Sequence, residues 1–285
     1  MFSGQGMGIK TSLQREARHS AGSGRCACPR WLPGLLLLGL STSAHAFDWV
    51  VNEVQYLYGT EFREPFNPDD VSKHTVTLQH ADGHSLGRNF MFVDVLQSDR
   101  YDEHATEVYA EAYASLSLSK LTGREWSAGI LKDVNLTAGI NWGYKDYEGY
   151  TVNPRVFLPG ITLDFNLPGF AFFNLDVLAY IDRGRFDGED NGCHGTTWQI
   201  NPVWNLPFSA GGEKFSFEGY VNFTGANGAC RSNTLAQPQL RWDVGHHFGK
   251  PDKAYFGMEY QYWRNKFGIE DLDDHVPQAL FVYKF

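Results

Sequence analysis

The chain has 285 residues and a formal net charge of −9, and 15% of its residues are aromatic. This acidity argues against a nucleic-acid-binding protein, because phosphate groups attract Lys and Arg. Beyond residue 46, no segment approaches the roughly 18 consecutive apolar residues of a transmembrane helix. The aromatic and glycine content instead favours β-structure with aromatic bands.

The first 46 residues have the three parts of a secretory signal peptide. Five basic residues precede the apolar run LPGLLLLGL, and Ala44–Ala46 has the small-x-small pattern of a signal-peptidase site. A membrane anchor is the alternative, but the apolar run is too short to span a bilayer. We therefore expect cleavage before Phe47 and a single domain over residues 47–285. The leader holds five of the 24 basic and one of the 33 acidic residues, which leaves a net charge of −13.

Alternation of apolar and polar side chains predicts β-strands along the rest of the chain. In KFSFEGYVNFTG, for example, Phe215 and Phe217 lie on one face and Glu218 and Tyr220 on the other. Twelve such strands leave about 20 residues for each strand and its connection, enough for membrane-crossing strands of about 9–11 residues. The predicted strands are centred near Val51, Thr77, Val93, Ala112, Ile140, Val156, Val177, Asn201, Glu218, Trp242, Tyr260 and Phe281.

The predicted connections fall into two kinds. Those after even-numbered strands contain turn residues, as in ADGHSLG, NLPGF, FSAGGEK and FGKPDK. Those after odd-numbered strands are acidic and often longer, as in GTEFREPFNPDD, QSDRYDEHA, RGRFDGEDNGCHG and KFGIEDLDDH. The pattern predicts an all-β fold: a transmembrane antiparallel β-barrel with short periplasmic turns and longer extracellular loops. One connection, around SKLTGREWSAGILKDV, is long on the side of the short turns.

Two cysteines, Cys193 and Cys230, remain after the leader is removed. An even pair in an exported protein indicates one disulfide. The two residues fall in the fourth and fifth long loops, on the same side of the predicted barrel. Their spacing fits no zinc motif, and we predict neither a metal nor a cofactor.

A soluble secreted β-sandwich or lipocalin-like barrel is the alternative fold, since alternation alone does not say which face is inside. The last strand favours the membrane. Phe281, Tyr283 and Phe285 alternate up to the carboxyl terminus. This ending resembles the signal by which outer-membrane proteins are recognised by their assembly machinery, so we expect that machinery as a partner.

Three segments resemble the Tsx-like nucleoside-specific channels and their OmpK-type relatives. Glu111 followed by Ser119–Gly123 (SKLTG) matches the family's acid-then-SKLT segment. YGTEF at 58–62 and QYWRNKFG at 261–268 match patterns near its two ends. The resemblance implies a monomeric barrel in the bacterial outer membrane, with outer-membrane lipids around it and a narrow pore for nucleosides. In some members it also implies a role as a bacteriophage receptor.

If the apolar rows face lipid, the opposite rows line the pore. The resemblance supplies Tyr58 and Phe62, and alternation adds aromatic and charged residues. The candidate pore-lining residues are Tyr58, Phe62, Phe90, Phe92, Asp94, Tyr109, Glu111, Glu218, Tyr220, Arg241 and Trp263. Aromatic rings can stack on a nucleobase, worth about 1–3 kcal/mol per base. Carboxylates and Arg241 can hydrogen-bond ribose and base edges, and an acidic lining disfavours nucleotides.

The leading hypothesis is therefore substrate-selective passive diffusion of nucleosides. The alternative is a non-conducting or unspecific barrel that acts as a surface interaction protein of the phage-receptor type, with a salt-bridge network across the lumen holding it shut. An enzyme is not expected, because residues 47–285 contain no G-x-S-x-G, H-E-x-x-H or P-loop motif.

Overall fold

The computed structural model describes residues 47–145, 152–186, 189–190, 192–193 and 195–285. The expected signal peptide, residues 1–46, lies outside this part of the chain. Within it, none of the helices has the length and apolar character needed to cross a membrane.

Twelve long strands account for most of the described residues. They are β1 (Trp49–Phe62), β2 (Val71–His84), β3 (Gly87–Ser98), β4 (Thr106–Ser117), β5 (Leu131–Lys145), β6 (Arg155–Phe165), β7 (Phe172–Asp182), β8 (Thr196–Ala210), β9 (Glu213–Thr224), β10 (Asn233–Ala236 and Gln239–Asp243), β11 (Ala254–Arg264) and β12 (Asp274–Lys284). Every predicted strand centre lies within one of them, so the twelve-strand prediction is confirmed.

Shorter elements lie in the connections. Two-residue strands are Val152–Asn153, Arg185–Phe186 and Glu189–Asp190, and one short α-helix, α1, is Leu118–Thr122. Single turns of 3₁₀-helix are Arg100–Asp102, Val244–Phe248 and Lys266–Gly268. The break in β10 falls at Gln237-Pro238, where proline cannot donate a ladder hydrogen bond. Gly219 on β9 faces this break with φ 148°, and a Cβ there would lie 2.4 Å from the carbonyl oxygen of Gln237.

The strands form one closed antiparallel barrel. Each pairs with its neighbours in the chain, and β12 returns to pair with β1, as in the partners Glu53↔Lys284 and Tyr56↔Phe281. Closure pairs the first and last strands and leaves no edge exposed, which a membrane-spanning sheet requires. The fold class predicted from the sequence is confirmed.

The two ends of the barrel differ. At the turn end, the strands are joined by 85–86, 118–130, 166–171, 211–212 and 244–253. At the loop end, the connections include 63–70, 99–105, 225–232 and 265–273. The long exception at the turn end is confirmed and contains α1. Ser117 caps this helix by accepting from the Lys120 amide (3.0 Å), and Gly123 ends it in a left-handed conformation.

Apolar side chains cover the outside of the barrel, and polar side chains fill the inside. Exposed outward residues include Leu78, Met91, Val95, Leu136, Ile140, Phe157, Phe256 and Met258. Buried inward residues include Gln55, Thr75, Thr77, Thr137, Asn141, Thr162, Gln199 and Asn201. A soluble barrel would have the opposite arrangement, so the lipocalin-like alternative is excluded.

The disulfide between Cys193 and Cys230 is present, with 5.2 Å between the two Cα atoms. It joins the β7–β8 and β9–β10 connections at the loop end, as predicted.

At the carboxyl terminus, Phe281 and Tyr283 lie on the outward face and Phe285 is exposed. The Phe285 amide donates to the Asn52 carbonyl (3.1 Å), which holds the last residue beside β1.

Candidate channel lumen

Ten of the eleven candidate pore-lining residues face into the barrel, and Tyr58 does not. On β1 the buried inward positions are odd-numbered, as at Glu53 and Gln55, whereas Tyr58 is 39% exposed on the outward face. Its ring lies against His74, with 4.7 Å between ring centroids. The placement of Tyr58 in the pore is therefore wrong.

Phe62, from the same motif, does point inward. The ladder between β1 and β2 has an irregularity between Gly59 and Phe62, which changes the alternation. Phe62 is 2% exposed and packs with Val71 and Val276 near the loop end. The ammonium group of Lys73 lies 5.6 Å from its ring centroid.

One side of the lumen carries an aromatic wall, which consists of Phe90, Phe92, Tyr109, Tyr113 and Tyr180 on β3, β4 and β7. The rings of Phe90 and Phe92 are 6.0 Å apart, and those of Phe92 and Tyr109 are 6.1 Å apart. Tyr113 and Tyr180 pack against a small apolar cluster inside the barrel. Such ring faces are suited to stacking on flat solutes.

The Tyr113 ring of the aromatic wall requires a residue without a side chain opposite it on β5. Gly139 is the cross-strand partner of Tyr113. A Cβ on Gly139 would lie 2.4 Å from the Tyr113 ring, so a glycine is needed for the ring to lie flat against the barrel wall. The Tyr109 hydroxyl donates to Glu111 (2.5 Å), and this hydrogen bond fixes the orientation of the Tyr109 ring.

The opposite side carries a carboxamide wall, which consists of Gln55, Gln237, Gln239, Gln261 and Gln278 around Glu259 on β1 and β10–β12. Three of these side chains donate to the Glu259 carboxylate: Gln239 at 2.6 Å, Gln278 at 2.8 Å and Gln237 at 3.2 Å. Gln237 also donates to Gln261 (2.9 Å), and Gln239 donates to Gln55 (3.1 Å). Amides offer both donors and acceptors to a solute.

The carboxylates midway along the lumen are hydrogen-bonded by uncharged groups. Thr77 donates to Asp94 (2.5 Å), and Thr162 donates to Asp176 (2.6 Å). Glu111 accepts from Tyr109, and Glu259 accepts from the glutamines. This part of the lumen therefore presents carboxyl oxygens as hydrogen-bond acceptors to a passing solute.

Arg241 crosses the lumen towards the turn end. Its guanidinium contacts Glu53 of β1 at 3.1 Å and Glu218 of β9 at 2.5 Å, and it donates to Gln239 at 2.7 Å. The strands β10 and β1 are separated by β11 and β12, so the Arg241–Glu53 pair cuts across the inside of the barrel. Tyr220 donates to Gln237 beside it.

At the loop end, a buried ion cluster surrounds Glu64. Its carboxylate contacts the ammonium groups of Lys73 (2.7 Å), Lys145 (2.8 Å) and Lys266 (3.2 Å). Each of these four side chains is at most 3% exposed. Among the described residues, the other members of this loop-end ion cluster are three further carboxylates, one for each lysine. Asp102 contacts Lys145 at 2.8 Å, Glu107 contacts Lys73 at 3.2 Å and Asp274 contacts Lys266 at 3.0 Å.

The cluster lies across the mouth of the barrel. Lys145 is on β5, and Lys266 contacts Asp274 of β12. Four strands separate β5 from β12 on one side of the barrel and six on the other, so these groups approach from nearly opposite walls. Burial alone would raise the pKa of Glu64, but Lys266, Lys73 and Lys145 hold it well below its ordinary value. Loop 63–70 thus places a charged carboxylate near the barrel axis.

Trp263 lies beside this cluster rather than midway along the lumen. Its ring is 4.7 Å from that of Phe267, and the Lys266 ammonium is 5.6 Å from its centroid. Sequence reasoning included a salt-bridge network across the lumen as part of the alternative, but it did not identify Glu64 and its three lysines. The alternation of side chains also does not indicate that Gln239, Gln261 and Glu259 meet.

A closed sheet with an apolar outside and a polar, charged inside defines a channel-forming β-barrel of the outer membrane. Residues 45–280 match the family described as "Nucleoside-specific channel-forming protein, Tsx". The chain belongs to this family. The expected family and the outer-membrane location are confirmed, and the turn end faces the periplasm. The family is a channel family rather than a class of enzymes.

No curated protein matches the chain. Solved structures with a similar arrangement include the "KdgM porin", with 6% identity, coverage of 82% of this chain and 99% of that chain, and a TM-score of 0.44. The β domain of the Bordetella autotransporter BrkA has 12% identity, coverage of 84% and 99%, and a TM-score of 0.41. The translocator domain of NalP from Neisseria meningitidis has 13% identity, coverage of 87% and 91%, and a TM-score of 0.43.

Proposed function

We propose that nucleosides cross the barrel between the aromatic wall and the carboxamide wall. The base would stack on Phe92 and Tyr109, and the sugar hydroxyls would donate to Glu111 and Glu259. The observation that supports this most strongly is the division of the lumen into ring faces on one side and amide and carboxylate groups on the other. A nucleoside has the same two-sided chemistry, with a flat base and a polyhydroxyl sugar.

The acidic lining of the lumen gives the expected selectivity. Asp94, Glu111, Asp176 and Glu259 accept hydrogen bonds from uncharged donors, and their oxygen atoms line the path of the solute. A nucleoside is uncharged and can pass, whereas a nucleotide carries a phosphate that these groups repel. Each contact must be weak enough to be released, because conduction requires the solute to leave.

Single-channel recordings in planar bilayers test this proposal. Added adenosine or thymidine should block the current through the wild-type protein. The block should be weakened in Tyr109→Ala and retained in Tyr58→Ala, a matched control that removes an outward-facing ring. An open channel that is insensitive to nucleosides would refute the proposal, as would equal losses in the two variants.

We also propose that the chain works as a monomer, because one chain closes the barrel and supplies both walls. The outward, exposed positions of Phe281, Tyr283 and Phe285 are compatible with recognition by the assembly machinery. A bacteriophage that uses this protein would meet the loop end, which faces the exterior of the cell.

A further inference from the structure

The connection between β4 and β5 is exposed along its length. Every residue from Lys120 to Ile130 is exposed, including three large apolar side chains. These are Leu121 (43%), Trp126 (45%) and Ile130 (60%). The segment lies at the turn end, on the periplasmic side.

Hydrogen bonds hold this connection in one conformation. Ser117 and Ser119 donate through their hydroxyls to Asp133, at 2.5 Å and 2.7 Å. The Trp126 amide donates to the Ser119 hydroxyl (2.9 Å), and its indole N–H donates to Thr122 (3.1 Å). The apolar side chains are therefore displayed from an ordered segment.

The displayed surface adjoins the lipid-facing surface of the barrel. On β5, outward positions are even-numbered at Leu136 and Ile140, and this alternation ends at the irregularity in the β5–β6 ladder between Leu131 and Asp133, next to the exposed Ile130. The Ile130 carbonyl accepts from the Asn166 amide (2.8 Å), which places it next to the β6–β7 turn. In and beside that turn lie the packed rings of Phe165, Phe170 and Phe173, an aromatic band of the kind that marks a membrane boundary.

The same segment is basic in an otherwise acidic protein. Residues 118–132 contain Lys120, Arg124 and Lys132 but one acidic residue, Glu125. All three cations are exposed. Lys120 donates to the His84 carbonyl (2.9 Å), whereas Arg124 and Lys132 have no ion-pair partner in the part of the chain that the structure describes. Basic side chains at a lipid boundary attract anionic head groups.

We propose that residues 118–132 form a binding site for anionic phospholipids of the periplasmic leaflet. Arg124 and Lys132 contact the lipid phosphate, and Leu121, Trp126 and Ile130 insert among the neighbouring acyl chains. The partner is a lipid rather than a protein because the apolar surface adjoins the lipid-facing strands and the aromatic band beside them. This inference does not depend on the solute that the channel carries.

Fluorescence quenching by brominated lipids tests the site. The protein, without its leader, is folded into bilayers of phosphatidylcholine with a minor fraction of phosphatidylglycerol, and bromine is placed on a matched fraction of either lipid. The Trp126 signal is the difference between wild type and Trp126→Phe. We expect brominated phosphatidylglycerol to quench this signal at least about fivefold more effectively than brominated phosphatidylcholine at equal mole fraction.

Charge variants separate a site from a general effect of charge. In Arg124→Gln/Lys132→Gln the preference for phosphatidylglycerol should disappear, while heat-modifiable migration shows that the barrel is folded. In Arg183→Gln/Arg231→Gln, which removes two exposed cations at the loop end, the preference should remain. Equal quenching by both lipids in the wild type would overturn the proposal, as would a preference that survives in the first variant or is lost in the control. If neither lipid quenches Trp126, the segment lies outside the leaflet, and a periplasmic protein would be its partner instead.

Discussion

The substitution Glu64→Gln tests whether the loop-end ion cluster holds loop 63–70 across the mouth of the barrel. It replaces a carboxylate by an amide of nearly the same shape. The three lysines lose a shared negative charge, and the loop loses its principal attachment to β2, β5 and the β11–β12 connection. Among the described residues, the cluster changes from four acidic and three basic side chains to three of each.

The size of the effect follows from the remaining partners. Removing one member of a buried ion pair costs about 3–5 kcal/mol when the other charge is left alone. Here Lys73 keeps Glu107, Lys145 keeps Asp102 and Lys266 keeps Asp274, all within 3.2 Å. Since no lysine is left without a carboxylate, we expect a loss near the lower end, about 3 kcal/mol.

Two measurements check this prediction. Urea unfolding of the protein in lipid vesicles should show the loss of stability, and single-channel recordings should show a higher conductance because the loop is released from the axis. Asp70→Asn is the matched control, since Asp70 lies in the same loop with an exposed ion pair to Arg63 at 3.5 Å. An unchanged conductance in Glu64→Gln, with the stability lowered as expected, would show that the cluster is structural and does not narrow the mouth.

Three further predictions concern pH, assembly and the disulfide. Because the folded pKa of Glu64 is depressed, its contribution to stability is present above its ordinary value of 4.5 and is lost as the pH falls through the lower folded value. The difference in stability between wild type and Glu64→Gln should therefore stay constant from neutral pH down to 4.5, and a difference that shrinks in that range would contradict the assignment. Deletion of Phe285 should reduce the heat-modifiable, folded protein in the outer membrane while export across the inner membrane continues; normal folding would argue against an assembly signal. The double variant Cys193→Ser/Cys230→Ser should lose about 2–4 kcal/mol of stability in urea unfolding and retain its block by nucleosides, whereas a lost block would place the disulfide in the solute path.

The twelve strands were predictable because each strand lies between lipid on one side and the polar lumen on the other. Side chains alternate between lipid and lumen, so segments such as 213–224 carry the fold in their local pattern. The order of short and long connections and the position of the disulfide follow from the count of strands. Closure between β1 and β12 follows from the even count and the alternating carboxyl terminus.

Tyr58 shows where a family motif misled. The alternation of WVVNEVQYLYG places Glu53 and Gln55 on the polar face, and that period alone puts Tyr58 on the outward face. The match to the family motif led to the placement of Tyr58 in the pore, although the alternation of side chains indicates the outward face. Phe62 faces inward because the β1–β2 ladder is irregular between Gly59 and Phe62. Residue types alone do not predict this irregularity.

The loop-end ion cluster was not predictable for a different reason. Glu64 lies in a loop without periodicity, and Lys145 is far from it in sequence. Their contact depends on the closed barrel bringing distant strands together. The carboxamide wall depends instead on strand register, because Glu259 meets Gln239 and Gln278 through the pairing of the consecutive strands β10, β11 and β12.

The most direct test of the central claim is the entry of labelled thymidine into lipid vesicles that contain the folded protein. Wild-type vesicles should take up thymidine faster than thymidine monophosphate. The double variant Phe92→Ala/Tyr109→Ala should lose this preference for the nucleoside while still admitting small ions. If the variant retains the preference, or if wild type admits both solutes equally, nucleosides are not selected between the two walls.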